Sequence, residues 1–349
     1  MGVRHSAMTT FRRLTLFGIG LIGSSLARAA RAYRLADEIV GSDLSPAVRR
    51  TAKRLGIVDR AVADPARAVA GADLVIVCTP LSAYKAVGRA IGPALSPGAI
   101  LTDVGSCKQS VLSDLGKTVP KGVHFIPGHP VAGTEQSGPE AGFAELFANR
   151  WCIITPPPGA DERAVERLAA FWRGTGSKVE RMDARHHDLV LAIVSHVPHL
   201  IAYNIVGTAE DLSTVTKSEV IKYSAGGFRD FTRIAASDPT MWRDVFLNNR
   251  EAVLEMLGRF SEDLTALQRA IRWGDGKTLF DLFSRTRQIR RAIIGAGQEM
   301  AVPNFGRQVI DGAGKPATVR KRASSPKGSA ARSRPARRKA ARPGRSRAR

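Results

Sequence analysis

Three glycines near the start of the chain, Gly18, Gly20 and Gly23, constrain the fold more than any other feature. They follow the apolar run LTLF and precede SSLARAARAYRL, a stretch of helical composition, and Asp43 closes the next β-rich run twenty residues after Gly23. Strand, G-x-G-x-x-G turn, helix and distal acid together describe a loop built around a dinucleotide pyrophosphate. In such a loop Gly18 makes the tight turn, Gly20 lets backbone approach the phosphates and Gly23 packs helix on strand. Leu21 and Ile22 open the helix whose N-terminus faces the anion. Asp43 accepts hydrogen bonds from a ribose diol and repels a 2′-phosphate, so the expected cofactor is NAD rather than NADP. A second reading competes for the same residues. Arg12, Arg13, the apolar run and Ala27-Arg28-Ala29 also fit a secretory signal with its cleavage site. Cleavage there would discard the first strand of an otherwise regular pattern.

That pattern is an alternation. The runs LTLFGIG (14–20), EIVGSD (38–43), LVIVCTP (74–80), AILTDVGS (99–106), VHFIPGHPV (123–131), WCIITPP (151–157) and KVERM (178–182) read as strands, with helical stretches such as SPAVRRTAKRLG between the first four. Strands alternating with helices predict an α/β Rossmann-type, doubly wound parallel sheet. After Met182 the pattern becomes helical throughout, which predicts a second, all-α domain. Ser45-Pro46 and Asp238-Pro239 pair an N-cap with proline at the first helical position, and Gly274 is a stop for a helix expected over 238–274. Pro198 is expected to kink the helix over Leu189–Val206. The expected division is a flexible N-terminus (1–12), a Rossmann domain (13–182), a helical domain (183–305) and a disordered basic tail (306–349).

Ligands of doubly wound sheets lie beyond the carboxyl ends of the strands, which singles out the segments 79–81, 103–108 and 128–135, and within them Thr79, Pro80, Ser106 and His129. A histidine there can take a proton from a hydroxyl while hydride leaves the same carbon, although a structural role fits its position as well. Ser106 could hold that hydroxyl or cap a turn. In the helical half, His196 and His199 share a helix face, without a third ligand at a spacing that would make a metal site. Arg229, Asp230 and Arg233 in SAGGFRDFTRIAASDP read either as a carboxylate clamp or as a surface laced with ion pairs.

Five segments in order, GIGLIGSSL, LTDVGSCK, GHPVAGTE, SHVPH and FRDFTRIAASDPTMWRD, resemble the prephenate/arogenate dehydrogenase family of tyrosine biosynthesis over residues 12–300. The resemblance implies a Rossmann domain followed by a helical dimerisation domain, and hence a homodimer. It implies NAD-dependent oxidative decarboxylation of prephenate to 4-hydroxyphenylpyruvate, or of arogenate to tyrosine. It assigns the base to His129 and the hydroxyl contact to Ser106. His199 and Arg233 fall on the substrate side, Arg233 for a carboxylate, with His196, Glu135, Asp230 and Trp242 shaping the pocket. Cys107, beside Ser106, is expected to make the enzyme sensitive to thiol reagents.

Two other functions are weighed. A β-hydroxyacid dehydrogenase has a similar layout but a lysine on the first long helix after its Rossmann domain, where Leu189–Val206 has two histidines and no lysine. Non-specific nucleic-acid or other polyanion contact is the second. Fourteen Lys and Arg lie in 315–349 with no acid, and without them the net charge of +22 falls to +8. That tail has no aromatic residue for base stacking. Three cysteines in 349 residues, without a C-x-x-C pair, argue against a disulfide framework and for a reducing, cytoplasmic setting. Leu189–Val206 approaches a bilayer-spanning length, but its histidines, serine, proline and asparagine favour a buried helix over a membrane span.

Overall fold

The computed structural model describes residues 11–134, 136–211 and 225–295. Glu135, the first ten residues and the whole basic tail lie outside the described residues.

Six strands form a parallel sheet: β1 (Phe11–Phe17), β2 (Ala36–Ser42), β3 (Arg60–Val62), β4 (Leu74–Val77), β5 (Ile100–Asp103) and β6 (His124–Phe125), in the order β3-β2-β1-β4-β5-β6. Strands β4 and β5 are buried along their whole length and β1 along its second half, because helices cover both faces. Leu14, Leu16, Leu74 and Ile76 enter a core with Leu26, Phe171 and Trp172, while Phe17, Val75 and Val77 point the other way, toward Tyr84, Ile91 and Val111. The chain leaves β1 toward one edge and re-enters at β4 toward the other, which opens a crevice at the carboxyl ends of β1 and β4. Around the sheet lie α1 (Leu21–Ala32), α2 (Pro46–Arg54), α3 (Pro65–Val69), α4 (Tyr84–Ile91) and α5 (Lys108–Asp114). Ser45 caps α2 through the Val48 amide with Pro46 behind it, as the sequence predicts.

The run over 123–131 does not stay one strand. Ile126 and Pro127 separate β6 from β7 (Gly128–Pro130), which joins a second sheet with β8 (Trp151–Ile154) and β9 (Lys178–Arg181), α6 (Glu162–Gly174) lying between the last two. β7 runs antiparallel to β8 and β8 parallel to β9. A two-residue link is too short for the crossover that another parallel neighbour requires, so the chain turns out of the first sheet there. Strand β3 gave no signal in the sequence, being three half-exposed residues at a sheet edge.

The helical half begins with α7 (Ala184–Leu191), a π turn over Ala192–His196 and α8 (Val197–Asp211). Pro198 cannot donate to the carbonyl four residues back, and the π turn just before it absorbs the mismatch. Then follow α9 (Gly226–Thr232), a 3₁₀ turn (Arg233–Ala236), α10 (Pro239–Asn248), α11 (Arg250–Arg272) and α12 (Gly276–Gly295). Asp238 caps α10 through the Met241 amide, and Gly274 follows α11 with φ +67°. The helix expected over 238–274 is broken at Asn249, whose backbone (φ −113°, ψ 32°) leaves the helical region. The segment Ala184–Asp211 is long and apolar enough to cross a membrane, yet it carries three histidines onto neighbouring elements. Its other face is uncovered, with Ile193, Val194, Ile205 and Val206 exposed.

Candidate active site

The glycine loop joins β1 to α1 at the crevice. Gly18 has φ +85°, and a Cβ there would sit 2.7 Å from the Cys78 carbonyl oxygen, so the turn is pressed against the strand end that leads to Thr79 and Pro80. At Gly23 a Cβ would meet the Gly18 oxygen at 2.0 Å. Gly20 differs: nothing lies within 4 Å of its Cβ position, and as the α1 N-cap it offers no side chain to the first-turn amides. Open space over an uncapped helix N-terminus fits a pyrophosphate. Asp43 Oδ2 accepts from the Ile19 amide at 3.0 Å and Oδ1 from the Ser45 amide at 2.9 Å, which ties loop to acid and leaves carboxylate lone pairs for a ribose diol. Arg49 also reaches this corner, donating to the Asp43 and Leu44 carbonyls.

Beyond β5, a network with no counterpart in the sequence reading surrounds His129. Asp103 and Lys108 form a fully buried ion pair, Nζ to Oδ2 at 2.6 Å, and Nζ also donates to the Gly128 carbonyl at 2.6 Å. The Asp103 carboxylate further accepts from the Gly105 and Gly128 amides and the Tyr84 hydroxyl. These bonds lock the turn carrying Ser106 against the strand carrying His129. Removing either partner of such a pair leaves a buried charge uncompensated, at a cost of about 3–5 kcal/mol.

His129, buried in β7, has Nδ1 2.9 Å from His187 Nε2, and His187 Nδ1 is 2.8 Å from Asp188 Oδ1. Asp188 also caps α5, Oδ1 accepting the Lys108 amide at 2.7 Å and Oδ2 the Gln109 amide at 2.9 Å. An acceptor-only carboxylate requires the His187 proton on Nδ1. A neutral His187 then accepts at Nε2, so His129 donates from Nδ1, and its Nε2 is left as a lone pair. Burial pushes both histidines below their ordinary range, for His129 with help from His187 and Lys108, for His187 against the pull of Asp188. The neutral state on which this proton order depends is thereby the resting one.

A third group lies in the helical half. Trp242 on α10 stacks on His199 with centroids 3.6 Å apart and meets His196 edge-on at 6.1 Å. His199 Nδ1 donates to the Ser195 carbonyl at 2.8 Å, and Asn249 Nδ2 lies 3.1 Å from His196 Nδ1. Among the described residues His196 Nε2 and Trp242 Nε1 are buried without a partner, as is Thr79 Oγ1. Each unsatisfied group of this kind costs about 1–3 kcal/mol and calls for an explanation. Arg233 is exposed, and its charge helps burial to lower the His199 pKa. Asp230 is also exposed and pairs with its neighbour Arg229 at 3.2 Å. Cys107 is buried against the Val245 carbonyl, and burial pushes its thiol up to about 12, so the exposed, reactive thiol expected beside Ser106 is absent.

His187, Asp188 and Asn249 are the residues that sequence reasoning missed, while Asp103 and Lys108 lie in a strand-end segment that it picked out without giving them a role. The adjacent His-Asp pair of ARHHDLVL was the available signal, and a polar helix start explains it equally well.

Comparison with known proteins identifies the chain. Residues 26–181 match the nucleotide-binding domain and residues 183–285 the dimerization domain of prephenate dehydrogenase. The cyclohexadienyl dehydrogenase of Zymomonas mobilis is 41% identical, over 82% of this chain and 97% of that protein. The prephenate dehydrogenase of Bacillus subtilis is 32% identical over 85% and 80%. Among solved structures, prephenate dehydrogenase from Aquifex aeolicus, in complex with hydroxyphenyl propionate and NAD+, superposes with a TM-score of 0.77 at 32% identity, covering 82% of this chain and 100% of that one. Synechocystis arogenate dehydrogenase gives 0.68 at 26% identity, over 80% and 99%. With a Rossmann-type sheet, a glycine loop and a helical second half in the family's order, the chain belongs to the prephenate dehydrogenase family of oxidoreductases.

Proposed function

We propose that this enzyme converts prephenate to 4-hydroxyphenylpyruvate with NAD as oxidant, and that His129 is the base. The observation that carries the reading is the proton order Asp188–His187–His129, which leaves a neutral Nε2 lone pair on the central residue of β7. Gly18, Gly20, Leu21, Ile22, Gly23, Asp43, Thr79 and Pro80 would hold the dinucleotide, and the bound nicotinamide supplies the hydride acceptor. His129 Nε2 takes the hydroxyl proton as the C–H electron pair departs, leaving a ring ketone. The C–CO₂ bond then breaks, its electrons aromatise the ring, and the phenolate oxygen recovers the proton from His129. No proton is lost overall. Ser106 would hold the hydroxyl, Arg233 a substrate carboxylate, and His199, Glu135, Asp230 and Trp242 the pocket walls. The two-domain division near residue 182 and a homodimer belong to the same reading. The helical half supports it by leaving Leu254, Ile271, Trp273, Phe280 and Phe283 more than half exposed. So does cytoplasmic residence, which the three free cysteines suit.

The test is a substrate matrix on purified protein, prephenate and arogenate each with NAD and NADP, beside His129→Ala. Turnover with prephenate and NAD is expected, falling about 10²–10⁴-fold in the variant. Light scattering of the same preparation should give twice the 37.5 kDa chain mass. No turnover with any pair would sink the proposal.

A further inference from the structure

We propose that Asn249 is a positioning residue that fixes His196 as a neutral Nε2–H donor, and that this donor meets an acceptor oxygen of the substrate. The second half rests on the function proposed above; the first does not.

The proton on His196 follows from what surrounds Asn249. Its amide nitrogen lies 2.8 Å from the Asp188 backbone carbonyl and 3.1 Å from His196 Nδ1. A backbone carbonyl only accepts, so the group facing it is the NH₂ and not the amide oxygen. An NH₂ only donates, so His196 Nδ1 accepts and is bare, and the ring proton sits on Nε2. His196 is completely buried, and burial holds it at about 4, far from protonation at neutral pH. Asn249 also breaks the chain between α10 and α11, and that break supplies the irregular backbone from which one side chain reaches both partners.

The donor so fixed has no partner among the described residues. His196 Nε2 and the neighbouring Trp242 Nε1, which is donor-only, are both buried and unpartnered. His199, stacked on Trp242, has the opposite tautomer, because its Nδ1 donates to Ser195 and its Nε2 is left to accept. The two fixed donors suit an acceptor oxygen of the substrate. That oxygen belongs either to the side-chain carboxylate or to the keto group next to it.

The experiment has two arms. In histidine-¹⁵N-labelled protein, long-range ¹H–¹⁵N spectra should show His196 protonated at Nε2, a mixture in Asn249→Ala and protonation at Nδ1 in Asn249→Asp. Binding of three probes is then titrated in the presence of NAD: 4-hydroxyphenylpropionate, 4-hydroxyphenylpyruvate and tyrosine. Asn249→Asp should weaken binding about 10- to 100-fold. An equal loss for all three assigns the carboxylate, and a loss confined to 4-hydroxyphenylpyruvate assigns the keto oxygen. His196→Gln, which keeps an N–H near the Nε2 position, should retain wild-type affinity within a few-fold, while His196→Leu loses it. A wild-type proton on Nδ1 overturns the proposal, as does a reversed tautomer with unchanged affinities. If the wild type binds none of the probes, the oxygen partner falls with the dehydrogenase reading, and the spectra still decide the role of Asn249.

Discussion

The two histidine groups are built on opposite terms. Around His129 the ring nitrogen, carboxylates and ammonium that orient it all have partners within the protein, from Asp103 and Lys108 to Asp188 and His187. Around His196 and Trp242, two donors are buried with no partner among the described residues. A satisfied polar network is rigid and sets proton positions in advance, while unsatisfied donors hold their hydrogen bonds for a ligand. With His129 as the proposed base and His196 as the proposed substrate donor, the comparison teaches a division of labour: the chemistry is wired by the fold, and recognition is completed by what binds.

If that contrast is right, the largest effect comes from cutting the wired side. Lys108→Met should cost about 3–5 kcal/mol in denaturant unfolding, because it strands the Asp103 carboxylate in a dry site. A loss below about 1 kcal/mol would mean that water reaches the pair and the network is not rigid.

Acid attacks both groups through their depressed histidines. In the unfolded chain each titrates near 6.5, whereas folded His196 does so at about 4. Between those values the unfolded state binds the additional proton, so stability is complete above 6.5 and falls as pH drops toward 4. By linkage, His196 alone contributes about 3 kcal/mol to that loss. Unfolding free energies measured across this interval should slope accordingly, and His196→Gln should flatten the curve; an unchanged slope removes His196 from the account.

A smaller effect sharpens the comparison. His187→Leu removes the acceptor that fixes the His129 proton, and kcat should fall about 10²-fold, part of what a general base supplies. Because His187 also lowers the His129 pKa, the acid limb of kcat/KM should move to higher pH in the variant. His187→Gln, with a carbonyl where Nε2 stood, should recover part of kcat. Equal rates in both variants would make His187 mere packing.

Local signals carried much of this. Gly18, Gly20 and Gly23 with Asp43, the Ser-Pro and Asp-Pro helix starts, and the strand-end positions of Ser106 and His129 are all readable because each rests on neighbours in the chain. The network is not local. Asp188 caps a helix 80 residues away, His187 meets His129 across 58, and Asn249 reaches Asp188 across 61. No spacing rule encodes such pairings, and each residue has an ordinary explanation where it stands: a helix start for His187 and Asp188, an exposed turn for Asn249, a basic helix opening for Lys108. The break at Asn249 was hidden for the same reason, since the apolar periodicity runs through it and only the tertiary bonds of its side chain justify leaving the helix.

The cap that Asp188 places on α5 has a consequence for how the enzyme comes to life. The carboxylate that sets the proton order of His129 comes from the helical half and grips the end of a Rossmann helix, so the proposed base is correctly set only with the two packed together. A first half that folded ahead of the second would already have its glycine loop and yet carry an idle histidine. During refolding, dinucleotide affinity should therefore return before turnover, and any contact that loosens the docking would act as a brake on the reaction without touching the substrate.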